Sequence, residues 1–150
     1  MKKLFLLIAF NAWIALLATG QNVNPVKWTF EAKSISDKEF DLTFTAQIDP
    51  GWYVYSQKLP DDGPIPTSIA INNTEGIELV GEAKEEGHQK AGFDDMFGMY
   101  ITKYSESMKI TQRIKVTGGT KEITGALTYM TCDNNRCLPP KDVLFSLELD

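Results

Sequence analysis

Histidine is almost missing from this chain. His88 is the only one among 150 residues. It lies in the charged run Glu85-Glu86-Gly87-His88-Gln89, which reads as solvated surface. Cysteine is scarce too: Cys132 and Cys137 are the whole complement. Zinc takes four ligands, or three and a water, and with His88 read as solvated surface the two cysteines alone do not furnish a zinc centre. Basic side chains number 15 against 20 acidic ones, a net charge of −5. Nucleic acid and anionic membrane surfaces both attract positive patches, so that balance argues against either as a partner. There is no internal repeat, no low-complexity tract and no second long apolar run. After residue 20 no segment shows a convincing helical period.

What is present begins with MKKLFLLIAFNAWIALLATG. Lys2 and Lys3 precede an apolar run, Leu4 to Ala18, that Asn11 interrupts. Ala18-Thr19-Gly20 then supplies small residues for cleavage. This is the anatomy of a secretory signal peptide, and a run of about 15 residues is short for a span of roughly 20. Residues 1–20 are therefore expected to be a cleaved signal and residues 21–150 the exported domain. No cysteine stands by the cleavage site, which argues against a lipid anchor there. Without Lys2 and Lys3 the net charge moves from −5 to −7. Export delivers the two cysteines to an oxidising compartment, where they can pair.

From Val26 onward the period is two. Trp28, Phe30 and Ala32 alternate with polar residues, and so do Phe40, Leu42, Phe44, Ala46 and Ile48. Such alternation gives a strand one apolar and one wet face. Ser36-Asp37-Lys38 predicts a hairpin between the first two strands. Asp49-Pro50-Gly51 is a turn, followed by the aromatic Trp52-Tyr53-Val54-Tyr55. Leu59 to Pro66 is an irregular, proline-rich loop. Thr67 to Ile71 and Ile77 to Val80 are expected as short strands around an Asn72-Asn73 turn, and Lys84 to Gln89 as exposed.

Phe93-Asp94-Asp95-Met96-Phe97-Gly98-Met99-Tyr100 fits neither period, and bulky apolar residues in a loop usually cover something. Met108, Ile110, Ile114 and Val116, then Ile123, Leu127 and Tyr129, then Val143, Phe145, Leu147 and Leu149 restore alternation. About seven to nine short strands without a helix predict an all-β fold, an antiparallel sandwich of immunoglobulin-like type.

The chemistry sits in Tyr129-Met-Thr-Cys132-Asp-Asn-Asn-Arg-Cys137-Leu-Pro-Pro140. Four residues, mostly turn formers, separate the cysteines. Three readings stay open on the residues alone. A structural staple is one, but a six-residue ring contributes only about 2 kcal/mol against about 5 for a loop of roughly 100 residues. Nor can so short a ring tie two sheets together. A soft-metal site is the second: copper(I) takes thiolates and thioethers, and Met96, Met99 and Met130 are available. Methionines among strands are more often filler, however, and no metal or other cofactor is expected. The third is disulfide exchange, which needs two sulfurs in bonding reach and one of them accessible. Acidic neighbours such as Asp133 hold thiol pKa values up, keeping such a pair quiet until a partner docks.

Tyr129 to Asp133, with Arg136-Cys137-Leu138-Pro139-Pro140, resembles the active-site segment of the amino-terminal periplasmic domain of the DsbD thiol:disulfide interchange family. Asp49 to Tyr55 resembles that family's aromatic strand beside the cysteines, and Asp94 to Gly98 its cap loop. The resemblance implies an immunoglobulin-like fold with the cysteine pair at one end, shielded by an aromatic cap that opens for partners. It implies an electron donor that is the thioredoxin-like domain of a membrane carrier. The implied acceptors are a periplasmic disulfide isomerase or a cytochrome c maturation thioredoxin. By position Cys137 resembles the cysteine that forms mixed disulfides and Cys132 the one that resolves them. Tyr53 and Tyr55 resemble packing aromatics of the site, and Asp94 and Asp95 its acidic residues.

Two departures accompany the resemblance. Best-known members place one more residue between the cysteines than the four found here, so this ring is smaller. The cap position also slides: counting back from Gly98 favours Met96, whereas an aromatic cap favours Phe97, and the expectation falls on Phe97. The sequence ends at Asp150 without a membrane span or a thioredoxin-like domain, so the donor is expected to be a separate protein. The competing expectation is an exported, non-catalytic binding module whose disulfide is structural.

Overall fold

The computed structural model describes residues 23–72 and 74–150. The expected signal segment, residues 1–20, lies outside the described residues. Strands β1 (Val26–Ser36) and β2 (Glu39–Ile48) form the predicted hairpin, with Val26 opposite Ile48 and Ser36 opposite Glu39. Its short connection leaves only Asp37 and Lys38 outside the ladder. The inward residues of β2 are Phe40, Leu42, Phe44, Ala46 and Ile48, and all five are buried. The alternation seen in the sequence is thus the core face itself.

Three further strands lead away from the hairpin: β3 (Tyr53–Tyr55), β4 (Ser68–Ile71) and β5 (Ile77–Asp94). Then come β6 (Met99–Val116), β7 (Glu122–Tyr129), β8 (Thr131–Cys132) and β9 (Lys141–Glu148). They build two antiparallel sheets. The larger has six strands in the order β1-β2-β6-β3-β8, with β5 on β6; the smaller runs β4-β7-β9. No helix occurs among the described residues.

Apolar residues of β2 and β6 face those of β7 and β9, and burial of that shared surface holds the sheets together. Phe44 is fully buried and meets Phe30 at 5.7 Å and Phe145 at 5.1 Å, both edge-to-face. Phe30 and Phe145 lie 5.6 Å apart, so three rings from both sheets close one cluster. Gly125 of β7 leaves room for it. A Cβ there would stand 2.2 Å from the Ala70 carbonyl oxygen and 2.4 Å from the Phe145 ring.

Three details differ from the sequence expectation. Thr67–Ile71 and Ile77–Val80 do carry strands, but these are not partners across a turn. β4 pairs with β7 in the small sheet, and β5 pairs with β6 in the large one. The connection between them crosses from sheet to sheet, and Asn73 within it lies outside the described residues. The charged stretch Lys84 to Gln89 is largely exposed, as expected, yet it is strand. An edge strand with one neighbour keeps its outer side in water, so charge there is compatible with pairing and no alternation marks it. The unpatterned stretch 93–100 is the tip of the β5–β6 hairpin, with only residues 95–98 outside the strands.

Phe44→Ala should lower unfolding stability by about 3–5 kcal/mol, because removing a fully buried ring leaves a cavity in the core. Chemical denaturation followed by tryptophan fluorescence measures this, and a loss below 1 kcal/mol on the order of surface substitutions would contradict the placement.

Candidate functional site

Strand β8 is two residues long, and its position comes from β3. Cys132 lies opposite Tyr53 and Thr131 opposite Val54. The Thr131 hydroxyl also donates to the Tyr53 carbonyl at 2.8 Å. β3 in turn pairs with β6 through Val54 and Tyr55, and the Thr67 hydroxyl donates to the Tyr55 carbonyl at 2.6 Å. Cys132 is therefore a sheet residue, 1% exposed.

Beyond it the chain reverses. The Asp133 carboxylate accepts the amides of Asn135 (2.7 Å) and Arg136 (2.8 Å). These two bonds favour the charged form and hold the Asp133 carboxyl below its usual pKa. The Asp133 amide donates to the Arg136 carbonyl, and the Leu138 amide to the Thr131 carbonyl, each at 2.9 Å. Cys137 thus returns opposite Cys132, with Cα atoms 4.0 Å apart, and the sulfurs are bonded. Cys137 is half-buried. One sulfur faces the interior and its partner the rim.

The β5–β6 tip reaches this rim. Met96 Sδ lies 3.3 Å from Cys137 Sγ, a sulfur–sulfur contact since the disulfide carries no thiol proton. Phe97 packs inward. Its ring meets Tyr55 edge-to-face at 5.8 Å, within a small cluster of Tyr55, Ile101, Met130 and Cys132. Met96 thus makes the contact with the Cys137 sulfur, while Phe97, the expected cap, packs against the cluster that holds Cys132.

Asp94 sets the tip's shape. It is 7% exposed, and its carboxylate accepts the Met96 amide at 3.0 Å and the Lys103 ammonium at 2.7 Å. The Gly98 amide closes the turn on the Asp94 carbonyl at 2.7 Å. Gly98 sits at φ +66°, a conformation glycine adopts freely. Burial by itself would raise the Asp94 pKa. The Lys103 pair and the amides of Met96 and Phe97 outweigh burial, and the net shift is downward. Burial and the nearby Asp94 charge push the Tyr55 phenol well above its ordinary value. Tyr53 lies below two cations, Lys103 at 4.3 Å and Lys90 at 5.1 Å from the ring centre. Asp95 is exposed and lines, with Asp94, Asp133, Lys103 and Met96, a depression of about 240 Å³ beside the disulfide.

Lys103 was not singled out in the sequence, and Trp52 and Arg136 were named there only as parts of longer segments. Arg136 stacks over Trp52 at 5.8 Å. Lys103 carries no local signal, because its role depends on register: the β5–β6 hairpin places it near Asp94 across the turn. His88 faces Glu106 at 3.3 Å on the surface. Among the described residues, no three His, Cys, Asp or Glu side chains gather as metal ligands.

The sequence matches the family profile described as thiol:disulfide interchange protein DsbD, N-terminal, over residues 21–149. This chain belongs to the DsbD amino-terminal domain family. The reduced DsbD amino-terminal domain of Neisseria meningitidis superposes with a TM-score of 0.55 at 20% identity, covering 82% of this chain and 86% of that one. The amino-terminal periplasmic domain of ScsB from Proteus mirabilis gives 0.61 at 17% identity. It covers 87% of this chain, which spans 49% of that one. At such identities the likenesses speak to the fold, which is immunoglobulin-like. No curated protein matches the sequence. Membership in the DsbD family and the paired cysteines support thiol–disulfide chemistry in general.

Two outcomes test this geometry. Met96→Ala should speed reduction of the disulfide by dithiothreitol several-fold, whereas Phe97→Ala should cost more stability and accelerate reduction less. Stopped-flow reduction rates and denaturation midpoints separate the two, and equal reduction rates for Met96→Ala and wild type would contradict the contact. For pH, a depressed Asp94 contributes stability that is present above the ordinary aspartate value of about 3.9 and lost as pH falls through the lower folded value. Hydrogen exchange at the Met96 amide should stay protected from neutral pH to about 4 and rise only in stronger acid. Loss of protection in mildly acidic buffer would contradict this.

Proposed function

We propose that the chain is a periplasmic thiol–disulfide relay whose Cys132–Cys137 pair passes two electrons between thioredoxin-like proteins. The observation that carries this reading is the inequality of the two sulfurs. Cys132 is buried in the sheet, whereas Cys137 is half-buried at the rim, packed inward on the Tyr55–Met130 cluster and met by the Met96 thioether. A structural staple needs no such difference; exchange does, because an incoming thiolate attacks one sulfur and expels the other.

The steps balance as follows. A donor thiolate attacks Cys137 Sγ, the Cys132–Cys137 bond breaks, and Cys132 leaves as a thiolate that takes a proton. The donor's second thiolate then attacks its own sulfur in the mixed disulfide and releases Cys137. The donor is now a disulfide and this chain a dithiol. Toward an acceptor the order reverses: Cys137 attacks, the acceptor thiol departs, and Cys132 closes back on Cys137 to free the second acceptor thiol. The donor fitting this scheme is the thioredoxin-like domain of a membrane electron carrier. Fitting acceptors are a periplasmic disulfide isomerase or a cytochrome c maturation thioredoxin. Export by residues 1–20 belongs to the same reading. Beside Met96 the exposed rings of Phe93 and Tyr100 stack edge-to-face at 5.5 Å, an apolar pad suited to a protein partner.

Single substitutions test the roles. Offered the disulfide form of a thioredoxin-like protein, Cys132→Ser should accumulate a mixed disulfide, because the Cys137 thiolate opens the partner's disulfide and frees one partner thiol; the adduct is visible on non-reducing gels and by mass spectrometry. Cys137→Ser should form far less. Equal trapping by both variants, or a wild type that accepts no electrons from any reduced thioredoxin-like protein, would leave only a stapled sandwich.

A further inference from the structure

The rim holds more sulfur than exchange requires. Met96 Sδ is 3.3 Å from Cys137 Sγ, and Cys137 is bonded to Cys132, so three sulfurs from two separate chain segments meet there. A methionine that merely fills a core has its thioether enclosed by carbon. Met96 is instead 42% exposed, with its sulfur on a cysteine. In the oxidised chain this arrangement offers a metal only one free thioether. Reduction by a dithiol, which supplies two electrons and becomes a disulfide itself, adds two thiols.

We propose that the reduced chain binds one copper(I) ion between the Cys132 and Cys137 sulfurs and the Met96 thioether. Each thiol gives up its proton as the metal binds. Thiolate and thioether donors select copper(I), which accepts three of them without a fourth. Zinc asks for a further nitrogen, oxygen or sulfur ligand or a water. The one histidine is occupied with Glu106, and no three His, Cys, Asp or Glu side chains cluster among the described residues. Two of the nearby carboxylates are otherwise engaged. Asp94 is held by Lys103 and the Met96 amide, and Asp133 by the amides of Asn135 and Arg136.

The ligands are held in place before the metal arrives. The bonds of Asp133 to Arg136 and of Leu138 to Thr131 keep Cys137 opposite Cys132 without the disulfide. Asp94 holds the backbone of Met96 in the turn. Copper and partner proteins then compete for the same two sulfurs, so the loaded chain is blocked for exchange. This inference rests on the pair being reducible, as the relay reading also requires.

The test uses the purified protein, opened with dithiothreitol, desalted without oxygen and checked by thiol titration. Copper(I) is then offered against a chromogenic copper(I) chelator. Reduced wild type should retain one equivalent and oxidised wild type none. Met96→Leu should weaken retention by at least the roughly tenfold that loss of an outer-shell partner costs a metal site. Met99→Leu should bind as wild type does, and alkylation of the loaded protein should be slowed. The proposal is overturned if reduced and oxidised chains retain the same copper, if Met96→Leu binds like wild type, or if dithiothreitol never opens the pair. A chain that exchanges electrons with a thioredoxin-like donor but holds no copper sinks this inference alone. One that holds copper but refuses every protein donor sinks the relay reading alone.

Discussion

One edge of β6 has to serve two neighbours, and the site exists because it does. Along Ser107–Lys115 that edge pairs with β2 and belongs to the core; along Lys103–Tyr104 it pairs with β3 and belongs to the disulfide. Between them the strand must bend. Glu106 takes φ +63°, and the register with β5 slips between Gly87 and His88. A left-handed conformation costs a non-glycine residue about 1 kcal/mol or more. Gly87 faces the bend, where a Cβ would stand 2.3 Å from the Ser107 carbonyl oxygen. The bulge thus redirects an 18-residue strand so that a rigid sandwich can extend a short ladder, β6-β3-β8, out to a cysteine.

The core was legible because burial writes a period into the chain. Phe40 to Ile48 and Met108 to Val116 alternate since one face of each strand meets the opposite sheet. The cysteine ring was legible from spacing and turn formers, which are local properties. Other features depend on register and on which strand lies next to which. β5 is an edge strand whose charged residues need no burial, so nothing in its pattern announced it. That β4 and β5 enter different sheets is a matter of partners lying far along the chain. The choice between Met96 and Phe97 turns on which way each side chain leaves a four-residue turn, and composition carries no information on that.

Electrostatics around the sulfurs follow from the same hydrogen bonds that shape the loops. Backbone amides and Lys103 keep Asp94 charged at neutral pH, and the amides of Asn135 and Arg136, with a lesser part from the Arg136 guanidinium, do much the same for Asp133. Lys103 is spent on Asp94 and on the face of Tyr53. Arg136 leans on Trp52. The sulfurs therefore sit near fixed negative charges whose neighbouring cations are engaged.

The size of the covalent ring bears on whether it can open without harm. Closing six residues contributes only about 2 kcal/mol, less than the loss of one fully buried phenylalanine such as Phe44 at about 3–5 kcal/mol. Hydrogen bonds from Asp133, Asn135, Arg136 and Leu138 already hold the loop shut beside the sulfurs. Cutting the bond between Cys132 and Cys137 therefore removes little of the fold's stability and little of the loop's shape. Both oxidation states can present nearly the same surface to a partner. In the relay proposed above, donor and acceptor would then meet the same scaffold, and the direction of transfer would be left to relative reduction potentials, not to refolding.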